Sequence, residues 1–482
     1  MWAGLRWLLF AVFFATSAQN AQAQAGAELP TQPSVWITTA DGARRLEPIA
    51  VGQWRPATLG AAGALRVDTR QAFQVMAGFG ASITDSSAYL IKRRMSARQR
   101  AALLRDLFGR DPGIGLSATR LTIGASDFSR SHYSYSAASD PTRFDLRAVR
   151  RDVAPIVRAA RRLNPGLTII ASPWSAPAWM KTSQSLITGS LSPEHYDDFA
   201  RYLRDYVSGM GALGVRIDAL TIQNEPHFEP TNYPGMRMSP TQRATFIGRH
   251  LGPLLEREHI AVDILEWDHN WDEPESPLAT LSDPEAARYV AGVAWHCYAG
   301  DVSAQSQVHA AFPGVSTWMT ECSGGGWATD WGDSLAWMTR TLIIGATRNW
   351  ARGVVLWNIA LDGNSGPHLG GCGNCRGVVT IDPRTGRVTR NVEYYVLAHA
   401  SRFVRPGAHR IGSETEAGGL ESVAFRNADD GSVVLIVLNG GRQPRDFCVQ
   451  VGDRAFDAAL PAGAVATFTW GENTAGEGSA RP

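Results

Sequence analysis

The stretch IDALTIQNEP, Ile217 to Pro226, decides the fold. Its apolar residues make a run of strand length that ends in Asn224 and Glu225, and Pro226 follows the acid at once. Proline withholds a ladder donor, so the run stops where the carboxylate is delivered. Seven other runs share this character: GFGASIT (78–84), ATRLTIG (118–124), LTIIASP (167–173), VDILEWDHN (262–270), VAWHCYAG (293–300), STWMTECSG (316–324) and GVVLWNIALD (353–362). Helix-like segments separate them, among them SARQRAALLRDLF, DLRAVRRDVAPIVRAARRL and PEHYDDFARYLRDYVSGMGAL. Eight strand-helix units in series are the pattern of a (β/α)8 barrel, an α/β fold whose functional residues stand at the C-terminal ends of its strands. A doubly wound nucleotide-binding sheet would need GxGxxG after its first strand, or a GxxxxGK[ST] loop, and the sequence has neither.

The barrel predicted over residues 76–400 is flanked by segments of a different kind. SVWITTA and ALRVDTR within 24–75, and LESVAFRN, SVVLIVLNG, DFCVQVG and AVATFTW within 401–472, alternate or run apolar between turn residues. They predict one β-sandwich side domain built from both chain ends. Residues 473–482, polar and Gly-rich, are expected to be disordered. Residues 1–23 carry Arg6, an apolar run from Trp7 to Ala15, and Ala21-Gln22-Ala23. That order predicts a cleaved signal peptide and a secreted or periplasmic protein without a stable membrane anchor.

The chain's 482 residues hold 46 Lys+Arg against 45 Asp+Glu, a net charge of +1. Such a balance argues against nucleic acid as a partner. In an exported chain Cys372 and Cys375 suit a local disulfide, with free thiols or redox or metal chemistry as the alternatives. Five cysteines leave at least one thiol free.

Glu225 ends the fourth run and Glu321 the seventh, so a closed barrel brings both carboxyls to one mouth. Paired carboxyls suit glycoside hydrolysis, in which one protonates the leaving oxygen and the other attacks the anomeric carbon. Glu225, beside Asn224, is expected to start protonated with a raised pKa, and Glu321 to start ionised. The mechanism asks for no cofactor and no metal. The cluster Asp268, His269 and Asp272 imitates a metal site and is read as polar loop contacts.

Taken in order, GFGASITDSSA, TRLTIGASDFS, ASPWSAPAWMKT, NEP, DPEAARYVAGVAWHCYAGD, TECSGG, WNIALD and YYVLAHASRFVRPGAHRIG make the chain resemble glycoside hydrolase family 30, which includes lysosomal glucosylceramidase and bacterial relatives. The resemblance implies Glu225 as acid/base and Glu321 as nucleophile. It implies sugar-binding or carboxylate-orienting roles for Arg120 and Asp127, and an aromatic sugar subsite of Trp174, Tyr298 and Trp357; Asn224, able to hydrogen-bond a sugar 2-hydroxyl beside Glu225, and His296 are counted with the substrate-binding residues. Against these stand core packing for Trp174 and Trp357, and a merely satisfied buried hydrogen bond for His296; Trp179 is divided between core and cleft. Cys297 departs from the glucosylceramidase branch, which tends to have Trp there, and the loop GNSGPHLGGCGNCRGVVTID also differs. The expected protein is a secreted retaining β-glycosidase acting on a β-glucoside, glucosylceramidase-like. The alternatives are a β-1,6-glucanase of the same family and an inactive carbohydrate-binding protein. The oligomeric state is left open.

Overall fold

The structure, a computed structural model, describes residues 31–58, 63–137, 143–414 and 416–471. The expected signal peptide, 1–23, and the expected disordered tail, 473–482, lie outside the described residues. Eight parallel strands close into a barrel in chain order: Gly78–Ser82, Ala118–Ile123, Thr168–Pro173, Ala219–Thr221, Asp263–Asn270, Val290–His296, Ser316–Glu321 and Ala351–Asn358. All eight predicted runs are therefore barrel strands. They are buried almost throughout, which explains their near-continuous apolar character. Closure is tight between the first two strands: a Cβ on Gly80 would lie 1.7 Å from the Ala118 carbonyl oxygen, so only glycine fits. Ile170, Ala219, Leu265, Ala294 and Trp318 fill the interior below the mouth.

The helices start and stop where the sequence signals it. Ser96 and Gln99 form a capping box ahead of Ala97–Phe108. The predicted helix over 145–163 is broken at Asp152 into Arg147–Arg151 and Val153–Leu163. Tyr196–Ala212 follows a short turn at Pro193–His195.

Several runs overshoot their strands, and two of these matter for the site. The fourth strand ends at Thr221, so Asn224 and Glu225 stand beyond the regular ladder. Their backbone turns instead on a hydrogen bond from the Glu225 N–H to the Asp268 carbonyl at 3.0 Å. The eighth ends at Asn358, and Ala360–Leu361 joins a separate small sheet with Val379–Ile381.

The side domain is an 11-stranded sheet drawn from both ends of the chain. Ser34–Thr38 pairs with Val465–Trp470, while Ala64–Val75 lies between His409–Ser413 and Arg445–Val451. Val35, Leu65, Leu435, Val449, Phe456 and Phe468 meet in one core, so the sheet folds over on itself as a sandwich. The wholly buried helix Val392–Ser401 links it to the barrel. There His399 is held between Thr467 Oγ1 and Thr38 Oγ1, each at 2.8 Å, and burial pushes its pKa down to about 3. Among the described residues no helix is long and apolar enough to cross a membrane.

Candidate active site

The C-terminal strand ends converge on one guanidinium. Arg120, on the second strand, is fully buried and donates to Glu321 Oε2 at 2.5 Å, Asn224 Oδ1 at 2.7 Å, Asp268 Oδ2 at 2.6 Å and Ser172 Oγ at 2.9 Å. Asp268 anchors the other side. Its carboxylate accepts from Thr221 Oγ1 at 2.6 Å, Thr320 Oγ1 at 2.7 Å and His296 Nε2 at 3.1 Å. Burial alone would raise its pKa, but Arg120 and His296 hold it well below the usual carboxylate range.

The two carboxyls expected to be catalytic sit on this base. Glu321 Oε1 accepts from the Tyr298 hydroxyl at 2.9 Å while its other oxygen takes Arg120. Glu225 Oε1 lies 3.1 Å from His296 Nδ1 and 3.9 Å from His269 Nδ1. Glu225, Trp267 and Asp268 all have positive φ, 48°, 73° and 60°. Left-handed backbone in such side chains is strained, and here it turns the fourth and fifth strand ends toward the mouth.

The proton order differs from the sequence expectation. Burial pushes the Glu225 carboxyl up, but the hydrogen bond and charge of His296, helped by His269 and Arg120, outweigh it and leave Glu225 below its ordinary value. Glu321 is raised, chiefly by burial, against the pull of His296 and Arg120. His296 itself is pushed up to about 9: burial opposes its charge, but Glu321, Asp268 and Glu225 win. Asp127 is raised to about 8 by burial and by the charge of Glu321, so it carries a proton at neutral pH.

The remaining predicted residues fall on different sides of the pocket. Arg120 and His296 are 0 % exposed, with their polar atoms engaged on the carboxyls and their neighbours. Trp174 and Trp357 stack with centroids 5.0 Å apart, the former under the Arg120 cation, and each is 3 % exposed. They support the base of the site and offer little open face. Tyr298 is 44 % exposed and opens the pocket. Asn224 is nearly buried, its carbonyl oxygen spent on Arg120. Trp179 is half-buried against His195. Asp127 is covered by the divergent loop: Leu369 N–H donates to its carbonyl oxygen at 2.8 Å. A Cβ on Gly371 would fall 2.3 Å from Asp127 Cβ, so glycine is required there. Cys372 and Cys375 are disulfide-bonded in this loop.

Sequence reading missed several groups. Asp268 is no loop contact; it lies on the fifth strand, fully buried, at the centre of the network. Its place near a strand end is the one signal the sequence carries, and that signal does not separate a buried aspartate from a solvated one. Tyr233 lies among Glu225, Asp127 and Glu321, whose charges with burial raise its pKa. Cys297 is joined to Cys322, leaving Cys448 as the free cysteine among the described residues. Glu225, His269 and His296 bring possible ligand atoms within 4.8 Å of one another. His296 already uses both nitrogens on carboxylates, so the trio reads as a proton network.

A closed parallel barrel with acidic residues delivered together at its mouth defines a glycoside hydrolase of the (β/α)8 class. The chain belongs to glycosyl hydrolase family 30: residues 76–404 match that family's TIM-barrel domain and residues 407–468 its β-sandwich domain. It is 36% identical to an endo-1,6-β-D-glucanase of Neurospora crassa over 433 residues, 85% of this chain and 88% of that one. With the lysosomal acid glucosylceramidase of Mus musculus it shares 28% identity over 469 residues, 89% and 87% of the two chains. Among solved structures, an endo-β1,6-glucanase superposes with a TM-score of 0.86 at 30% identity, covering 92% of this chain and 100% of that one.

Proposed function

We propose that the protein hydrolyses internal β-1,6-glucosidic bonds of a glucan with retention of configuration, and that glucosylceramide is not its main substrate. The observation that carries this reading is the higher identity, 36% against 28%, with the Neurospora crassa glucanase than with the mouse glucosylceramidase, each over most of both chains. Export is part of the proposal, supported by the charged, apolar and small-residue order of residues 1–23.

In the first half-reaction Glu321 attacks the anomeric carbon, and the bond to the leaving oxygen breaks as that oxygen takes a proton from Glu225. The His296–Glu225 contact holds that proton along a 3.1 Å path. A cationic His296 beside an ionised Glu225 is one proton shift from a neutral imidazole beside the required acid. Arg120 and Tyr298 keep their donors on Glu321, which favours its ionised form when sugar fills the pocket. In the second half-reaction Glu225 takes a proton from water, whose oxygen replaces Glu321 on the anomeric carbon. Protonated Asp127 donates to a sugar hydroxyl, and the Asn224 amide nitrogen to another. Tyr298 leads outward into a recess of about 470 Å³ with Trp327, 56 % exposed, and Trp337, 43 % exposed. Exposed indoles offer flat faces to further sugar rings.

The test is product analysis of the protein incubated in parallel with a β-1,6-glucan and with glucosylceramide. Short β-1,6-linked oligosaccharides with the lipid intact are expected. Ceramide release with the glucan untouched would overturn the proposal in favour of the glucosylceramidase reading.

A further inference from the structure

The sixth and seventh strands leave the regular ladder just where catalysis needs them fixed. Their parallel register runs Gly292↔Ser316 to Trp295↔Met319, then slips so that His296 pairs with Glu321 and Thr320 is left over. A bulge at that point loosens the last turn of both strands. The next rung is covalent: Cys297 and Cys322, whose Cα atoms are 5.3 Å apart, are disulfide-bonded. Each cysteine adjoins catalytic groups. Cys297 lies between His296, which contacts Glu225, and Tyr298, which donates to Glu321. Cys322 follows Glu321, is fully buried, and accepts the Trp357 N–H at 2.8 Å, carrying the constraint to the eighth strand. Across the mouth, the corresponding tie between the fourth and fifth strands is a hydrogen bond between backbone groups of Glu225 and Asp268.

We propose that the Cys297–Cys322 disulfide is a positioning element of the catalytic centre, fixing the slipped register so that the Tyr298 hydroxyl stays on Glu321 and the His296 ring stays on Glu225. A displacement of about 1 Å at such groups is enough to cost orders of magnitude in rate. The bond joins neighbouring strands already held by four regular rungs, and it lies one rung beyond the slipped His296–Glu321 pair, where the ladder ends. The inference rests on the family's two carboxyls and holds whichever linkage is cut.

Glu321 is faced by Arg120, Asp127, Glu225, Tyr233, His296 and Tyr298. Of these, the Tyr298 hydroxyl is tied to the bridge through one peptide bond, and its donation favours ionised Glu321. The experiment compares the full chain with Cys297→Ala/Cys322→Ala, Tyr298→Phe and the triple variant, on β-1,6-glucan or whichever β-glucoside the unaltered enzyme turns over. Expected for the double variant are a kcat lower by about tenfold, a KM within about twofold, and an acidic limb of the kcat–pH profile moved upward. Tyr298→Phe is expected to move that limb the same way, and the triple variant to lose less than the product of the two separate losses. An unchanged kcat and pH limb with only a lower thermal midpoint would overturn the proposal, as would fully multiplicative losses. Should the double variant not fold, Cys372→Ser/Cys375→Ser enzyme is assayed before and after reduction of the remaining bridge, with thiols counted by mass after alkylation. Loss of kcat on reduction, restored on reoxidation, supports the proposal; full retention overturns it.

Discussion

Two of the buried polar clusters treat charge oppositely. Beneath the mouth, Arg120, Asp268 and His296 are 0 % exposed and ionised, each charge answered by another within hydrogen-bond reach. Between barrel and sandwich, His399 is equally buried but neutral, satisfied by two threonine hydroxyls. Burial is costly for both unless every polar atom has a partner, and ionised groups cost more. A neutral cluster is enough to join two domains. The charged one lies where its field and hydrogen bonds set the Glu225 and Glu321 carboxyls, so its cost is explained by the proposed chemistry and not by stability.

The largest expected effect breaks the charged cluster's output. Glu321→Gln removes the attacking carboxylate and should lower turnover by about 10³-fold or more in initial-rate assays, with the fold intact by circular dichroism. Next, Arg120→Gln leaves Asp268 buried without its cation, and urea unfolding should register a loss of about 3–5 kcal/mol together with lost activity. A fully stable Arg120→Gln protein would show that the folding of the network does not depend on that charge.

The neutral cluster is probed by acid. The pKa of His399 is held down to about 3 in the folded protein, against about 6.5 in an unfolded chain, so between those values the unfolded state binds the extra proton. Its contribution is therefore complete above about pH 6.5 and is lost progressively as the pH falls toward 3, amounting to about 2 kcal/mol by pH 5. Denaturant titrations at pH 7 and pH 5 should show this slope, and His399→Gln should flatten it. Smallest of all, Thr467→Val removes one hydroxyl partner of His399 and should cost about 1 kcal/mol while leaving turnover unchanged. A change in kcat there would mean the two clusters are coupled through the helix Val392–Ser401.

The fold was legible because strand burial leaves a mark on sequence: fully covered parallel strands read as short apolar runs, and all eight did. The two carboxyls were legible because each closes a run. Asp268 was not, although it also lies near a strand end, because an aspartate that will be buried looks the same as one that will be solvated. What distinguishes it is Arg120, 148 residues away in the chain. The Cys297–Cys322 bridge was hidden for the same reason: a separation of 25 residues says nothing until the ends of adjacent strands bring the pair together. The proton order on Glu225 and Glu321 depends on four or five neighbours at once, which no motif records.

The weaving of the side domain has a consequence in time. Ser34–Thr38 has one local neighbour, Arg45–Ile49, but its other edge, and both edges of Ala64–Val75, find their neighbours only in strands beyond residue 408, and His399 waits on Thr38 from one end and Thr467 from the other. During synthesis the whole barrel can emerge while these early strands still lack their distant neighbours, exposing edges until the later strands have left the ribosome. Loop closure across nearly the full chain is slow compared with forming one strand-helix unit. The sandwich is thus the last part of the molecule to be completed, and its closure is the step most open to interception by aggregation.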